Sequence, residues 1–480
     1  MIRPKPFAAS LALLLAACGD TSGPAISESD RDVAEQQHPQ LLAEFGGAYK
    51  GDEAAYLERI GEKVAEAAGI GGQCKFTLVN TDVVNAFAVP GCYIYVTRGL
   101  MGIVNSEAEL ASVLAHELGH ITGNHSNRQQ RQSVLTQIGV IAVDAITGSD
   151  ELTRMVGAAA GFFSLRYSRT HEYDADDRGL GYLQKAGYDP YASAEMLEVL
   201  QRSQQFQDRA RGDETSAKTI PEWSLTHPLT ENRIARARAA AKKTGLKPDA
   251  LPDKAAEYLR AVDGLLYGDD PEQGFVLARH FAHPVMRIAF EAPEGFTLTN
   301  SPQAVLIEGS DGTRGEFGGG AMPAGGPEAY AEALLSSVIG NAPADIVTAQ
   351  PFEAHGLRAF VVQARVQTQQ GVVPIAVAAY PGDGGGAYHF LLVSQPGAEP
   401  QQAKTRLFGS FRRLNDAEVA SLRPRYIRVA QVGPADTPQS LASRMAADRP
   451  AELLAMINGL ASAKEIRPGE HVKLVLFPGR

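Results

Sequence analysis

The 480 residues exceed what one hydrophobic core organises, and typical domain sizes set an expectation of about three domains. Composition is globular, with 44% hydrophobic and 21% charged residues. The net charge of -10 comes with no Lys/Arg cluster, so nucleic acid is excluded as a partner: backbone binding needs a concentrated positive field, and the acidic balance reads as solubility.

Residues 1–17 have the make-up of an export signal. Arg3 and Lys5 precede an apolar run from Phe7 to Ala17 that is too short to span a bilayer. Leu15-Ala16-Ala17-Cys18 resembles the bacterial lipobox, which implies cleavage before Cys18 and acylation of that residue. Gly19 stands where an Asp would favour inner-membrane retention, so the expected location is the periplasmic face of the outer membrane. Removing Arg3 and Lys5 takes the charge from -10 to -12. Residues 18–30 read as a tether rich in Ser, Gly and Asp. The apolar runs Ile138–Ile146 and Val156–Leu165 are short, so membrane contact is expected through the lipid alone.

A helical segment to about residue 70 leads into two strand-like runs, Lys75–Val79 and Tyr93–Val96. Cys74 and Cys92 open these runs; export permits a disulfide, and two buried thiols remain an equal alternative. Ser106 followed by Glu109 has the form of a capping box and starts a helix in which Leu110, Val113, Leu114, Leu118 and Ile121 form one buried stripe. That helix carries His116-Glu117-Leu118-Gly119-His120. Two imidazoles four residues apart converge on one ion, with Glu117 beside them as general base to a metal-bound water.

A catalytic zinc needs a third protein ligand and an open corner. The metzincin continuation fails, since Ser126 stands where its third His belongs and His125 comes one residue early. Glu172 and Asp176 lie four apart on a helix expected to end at Gly187; there Glu172 would ligate and Asp176 would orient a ligating imidazole. On spacing alone this acidic turn is as readily a solvated face, and His171 is a rival ligand.

Four stretches now combine: Gly46-Gly-Ala-Tyr49, Asn85-Ala-Phe-Ala-Val-Pro-Gly91, His116–His120 and Arg169–Asp176, followed by Thr226-His227-Pro228 with Arg233-Ile234. Together, over about 35–245, they resemble the zinc peptidases that include the CAAX prenyl endopeptidase, HtpX and the periplasmic β-barrel assembly-enhancing protease. Cys92 departs from the Gly usual there. The resemblance implies a gluzincin-type metalloendopeptidase with one zinc per chain, held by His116, His120 and Glu172. Glu117 is the expected catalytic base. His227 is expected at the catalytic site, as an oxyanion donor or as a reversible fourth ligand. Tyr93, Ile94, Tyr95 and Val96 are expected as an exposed edge strand that binds substrate backbone. Misfolded or unassembled envelope proteins are the implied substrates.

The fold class is therefore α+β. A mainly helical zincin-type domain with a small sheet is expected over 31–266. A small α+β domain without catalytic residues follows over 267–422, with strands at Val285–Phe290, Ala304–Ile307, Ala359–Ala364 and Tyr388–Val393 and a helix at Glu328–Val338. The last unit, 423–480, resembles a LysM module through Tyr426–Val429, Asp436-Thr-Pro-Gln-Ser-Leu441, Ile457-Asn-Gly459 and Ile466-Arg-Pro-Gly469, which implies peptidoglycan as a partner. Two other readings stand beside the protease: a non-enzymatic envelope module, and a peptidoglycan hydrolase, for which the H-x-x-x-D and H-x-H ligand pairs are missing.

Overall fold

The computed structural model describes residues 26–126, 167–210, 227, 231–368, 371–396 and 401–479. The expected signal peptide, Cys18 and the expected tether up to residue 25 lie outside them. Helix α1 (Glu28–Glu44) begins inside the segment expected to be a tether, and its cap Ser27 accepts from Asp30 N–H. Among the described residues no helix is long and apolar enough to cross a membrane.

Helix α2 (Asp52–Ala68) leads into β1 (Lys75–Val79), β2 (Ala86–Val89) and β3 (Tyr93–Thr97), then α3 (Arg98–Ile103). The sheet order is β1-β3-β2, with β1 parallel and β2 antiparallel to β3. This corrects the substrate-edge expectation for Tyr93, Ile94, Tyr95 and Val96. Their strand is central, with both hydrogen-bonding sides occupied. It is also covered on both faces: Ile94 and Val96 enter the main core, while Tyr95 packs with Ala34, Leu41 and Phe45 on the α1 side. Among the described residues β2 pairs only with β3, so it has a side to offer, while the outer side of β1 is met at Val79 by a bridge to Ala48.

The parallel register sets Lys75 against Tyr93, which brings the preceding residues together, and Cys74 and Cys92 are disulfide-bonded with Cα atoms 4.7 Å apart. Closing a loop of 18 residues' separation contributes about 3 kcal/mol on a chain-entropy argument. Cys92 has φ +63°, a left-handed conformation that glycine adopts without strain.

Helix α4 (Glu107–Thr122) carries the HExxH motif. Ser106 Oγ accepts from Glu109 N–H, and the Glu109 carboxylate accepts from Asn105 N–H, one residue earlier than a strict capping box places it. The single buried stripe is also corrected: Glu107 to His120 is buried on every side, because α4 runs through the middle of the domain with α2, β2 and two later helices packed around it. Helix α5 (Arg169–Lys185) crosses α4 with backbones nearly touching; a Cβ on Gly119 would stand 2.7 Å from Ala175 O, and one on Gly179 would stand 3.1 Å from the Ala115 carbonyl. This close crossing is what brings α5 side chains to the α4 histidines. Helices α6 (Ala192–Ala210) and α7 (Glu231–Lys243) pack beside them, and α8 (Ala255–Val262) follows.

After α8, β4 (Leu266–Tyr267) pairs with β5 (Arg425–Gln431), so the chain leaves for the middle unit and returns at neighbouring positions. Within it a seven-stranded antiparallel sheet runs Ala344–Ala354, Leu357–Thr368, Gly371–Pro381, Gly386–Val393, Arg314–Ala321, Val305–Gly309 and Phe296–Asn300. The helix Gly326–Ile339 packs on one face. The expected strand at Val285 begins only at Ile288, since Val285 and Met286 sit exposed in the preceding turn.

The last unit folds as β5, α9 (Pro438–Arg444), α10 (Pro450–Ile457) and β6 (His471–Leu476), with β5 and β6 antiparallel. It is not a separate bead. Ile427, Leu441, Leu454, Ile457, Leu474 and Val475 belong to the same buried cluster as α2, α4 and α6.

Candidate metal centre

His116 and His120 project from α4 with their Nε2 atoms 3.1 Å apart. From α5, Glu172 Oε1 lies 3.4 Å from His120 Nε2, and Oε2 lies 3.6 Å from His116 Nε2. His227 closes the group: its Nδ1 is 3.3 Å from His116 Nε2 and 3.0 Å from Glu172 Oε1. All four residues are buried, and their ligand atoms lie within 4.8 Å of one another.

The protons on these imidazoles are committed elsewhere. His116 Nδ1 faces Asp176 Oδ1 at 3.0 Å, and His120 Nδ1 faces His125 Nδ1 at 3.0 Å. An imidazole donating from Nδ1 presents a bare lone pair at Nε2. Two imidazole Nε2 atoms and a carboxylate therefore converge in a buried space that suits a cation, which a proton on His116 or a metal ion can supply. Donors about 2.0–2.1 Å from a tetrahedral zinc stand about 3.3 Å from each other, which matches this set.

The electrostatics agree. Burial pulls His116 down, yet Asp176 and Glu172 overcome it and hold the imidazole at about 9. Burial would raise Glu172, but His227, His116 and His120 keep its carboxyl well below the usual range. Burial likewise loses at Asp176, where Arg233 and His116 hold the carboxyl down. His120 is driven well below its ordinary value by burial. The two ionised carboxylates of the site, Glu172 and Asp176, are held by neighbouring positive charge.

Glu117 does not join the ligand set. The Ala88 amide of β2 is directed at its carboxylate, and His227 Nε2 lies 3.5 Å from Oε1. Burial pushes its carboxyl up, opposed by His227, His116 and, among others, the Ala88 amide of β2. His171 faces away from the centre, its ring stacked on His125 at 4.7 Å.

Arg233 was named from the sequence only as part of a motif. It forms an ion pair with Glu172 Oε2 at 2.8 Å and donates to Asp176 through Nε and a terminal nitrogen at 3.0 and 2.8 Å, leaving Glu172 Oε1 turned to the histidines. Tyr167, which nothing in the sequence distinguished, stacks on His120 at 3.9 Å.

Two histidines one turn apart on a buried helix, a glutamate from a crossing helix and a second glutamate beside them define a gluzincin-type zinc peptidase. Residues 52–241 match Peptidase family M48, and the chain belongs to that family. It is similar to the beta-barrel assembly-enhancing protease of Yersinia pestis, at 33% identity over 227 residues, 45% of this chain and 44% of that one. The Escherichia coli protein of the same name is 32% identical over 221 residues, 42% of each chain. A protease HtpX homolog from Pyrococcus abyssi is 31% identical over 227 residues, 41% of this chain and 76% of its own. The chain thus matches less than half the length of the first two relatives.

Proposed function

We propose that the protein is a zinc metalloendopeptidase of the bacterial periplasm, anchored through Cys18 to the inner face of the outer membrane, that hydrolyses misfolded or unassembled envelope proteins. The convergence of the His116, His120 and Glu172 donor atoms beside Glu117 carries this reading. A bound zinc would polarise the scissile carbonyl and acidify the attacking water. Glu117, buried and outside the ligand set, takes a proton from the attacking water and returns it to the leaving amine. The free side of β2, at Phe87, Ala88 and Val89, runs beside Glu117 and suits an extended, unfolded substrate through main-chain pairing. The names of the relatives point toward unassembled β-barrel proteins as the substrate class.

Four protein donors would give a bound ion the coordination of a closed site. This favours His227 as a reversible fourth ligand over an oxyanion donor: its withdrawal opens the corner that substrate needs. For the last unit, two antiparallel strands flanking two short helices support a LysM-like module and peptidoglycan as a partner. Purified sacculi should pull the protein down whether or not His116 is intact.

The deciding experiment is metal analysis with a casein assay. Wild type should hold one zinc per chain and cleave casein, while Glu117→Gln should keep the zinc and lose about 10²–10⁴-fold in rate. Undiminished cleavage by Glu117→Gln would sink the catalytic assignment.

A further inference from the structure

The two ligand imidazoles are supported from behind in different ways. His116 Nδ1 meets an aspartate directly, at 3.0 Å from Asp176. His120 Nδ1 meets a third imidazole, His125, whose Nε2 lies 2.9 Å from Asp174 Oδ2; the same oxygen accepts from Arg178 Nε at 2.8 Å. We propose that His125 and Asp174 are positioning residues for the zinc site, a two-step buttress that fixes the tautomer and orientation of His120 and strengthens it as a ligand.

The backbone is shaped to deliver this contact. After Thr122 the chain turns at Gly123 and Asn124, the latter with φ +52°, and swings His125 back over His120. A Cβ at Gly123 would stand 2.4 Å from His125 Nε2, so only glycine leaves room for the ring. His125 is fully buried, and both rings are clamped: His171 stacks on His125 with planes 10° apart, and Tyr167 stacks on His120.

The proton order follows from the ligand. His120 turns Nε2 toward the cluster and so carries its hydrogen on Nδ1, which donates to His125 Nδ1. His125 accepts there and is left with its hydrogen on Nε2, which donates to Asp174. A hydrogen-bonded carboxylate behind a ligating imidazole raises its donor strength and locks the ring, and losing such a partner weakens metal binding about 10–100-fold. Here the carboxylate acts through one more ring and ends at the half-exposed Asp174 and Arg178. Helix α5 supplies Glu172 to the cluster and Asp174 and Asp176 behind the two histidines.

This inference rests on the zinc reading of the centre, and the test separates the two. Zinc affinity is measured by competition with a chromophoric chelator on the full-length protein, alongside the visible absorption of the Co(II)-substituted form. His125→Leu should bind zinc about 10–100-fold more weakly and shift the Co(II) bands. His125→Asn, which keeps an acceptor for the His120 Nδ1–H, should recover most of the affinity. Asp174→Asn should weaken binding several-fold. A purely structural role predicts a lower Tm, unchanged affinity in the folded fraction and no advantage of Asn over Leu; that result overturns the proposal. Should His125→Leu fail to fold, Asp174→Asn at its half-exposed position decides, and affinity within twofold of wild type overturns it. Wild-type protein that takes up no zinc removes the metal reading and the buttress with it, whereas wild-type binding with indifferent variants removes the buttress alone.

Discussion

Nδ1 of His227 lies 3.0 Å from Oε1 of Glu172, in the same space to which His116 and His120 direct their Nε2 atoms. As the proposed fourth ligand, an imidazole so placed would compete with water or substrate for the remaining corner. His227→Ala should therefore loosen zinc by about tenfold and raise casein cleavage several-fold when zinc is kept in excess. An oxyanion donor behaves oppositely: its loss would lower kcat about 10²-fold with zinc retained. Zinc titration and kcat on one preparation distinguish the two roles.

Arg233 pairs with both Glu172 and Asp176 through one guanidinium. Its planar fork reaches one carboxylate with two nitrogens and the other with the third, a span that a lysine ammonium cannot cover. Arg233→Lys should lower zinc affinity by about tenfold and also lower the Tm of the metal-free protein. Removing a partner from buried charges costs about 3–5 kcal/mol, so Arg233→Leu should be harsher still. Calorimetry with and without zinc tests this: added zinc should recover part of the loss, because the ion supplies the missing positive charge.

What could be read from the sequence follows the range of the interactions. The Ser106 cap and the four-residue spacing of His116 and His120 are local, written into one helix. Glu172 and Asp176 were legible through a resemblance and not through spacing, because nothing local says that α5 will cross α4. The glycines that permit the crossing, Gly119 and Gly179, are the nearest thing to a signal. Alternation marks Tyr93–Thr97 as a strand but does not encode its neighbours, and the parallel pairing with β1 made an expected edge into the centre of the sheet. His125 looked like a misplaced third ligand; its function depends on a left-handed turn at Asn124 that no periodicity reveals. The last unit looked separate because its apolar residues would equally serve a core of its own.

Glu107 opens the catalytic helix and gives the protein an acid-sensitive joint. Burial alone would raise its carboxyl, but the Tyr188 hydroxyl, the Lys254 ammonium and the Tyr56 hydroxyl outweigh burial and pull it to about 2 from an ordinary 4.5. A carboxyl depressed on folding contributes stability that is fully present above its unfolded value and is lost as pH falls through the folded one. The contribution, of order 3 kcal/mol, should therefore stand at pH 6 and fade between about pH 4.5 and pH 2. Urea unfolding of wild type and Glu107→Gln checks this: the stability gap should be wide at pH 6 and narrower at pH 3. A gap independent of pH would show that Glu107 acts through packing.

Lys473 carries the last prediction, because it ties the final strand to the catalytic helix. Its ammonium, fully buried, donates to Gly102 O at 3.0 Å and Val104 O at 2.5 Å, the carbonyls at the end of α3 just before α4 begins. Burial pulls the ammonium down to about 7, and Glu109 of α4 opposes that fall. Lys473→Met keeps the apolar stem but strands two buried carbonyls, a change that should cost about 2–3 kcal/mol. Since Ile427, Leu454 and Leu474 share one core with Leu110 and Leu114, the loss should appear as a lower Tm of a single transition monitored at the zinc site. A stop after Leu422 should expose that shared core and leave no folded, zinc-binding protein. Were residues 1–422 to fold and hold zinc with wild-type affinity, the last unit would be an independent appendage and this account of the core would be wrong.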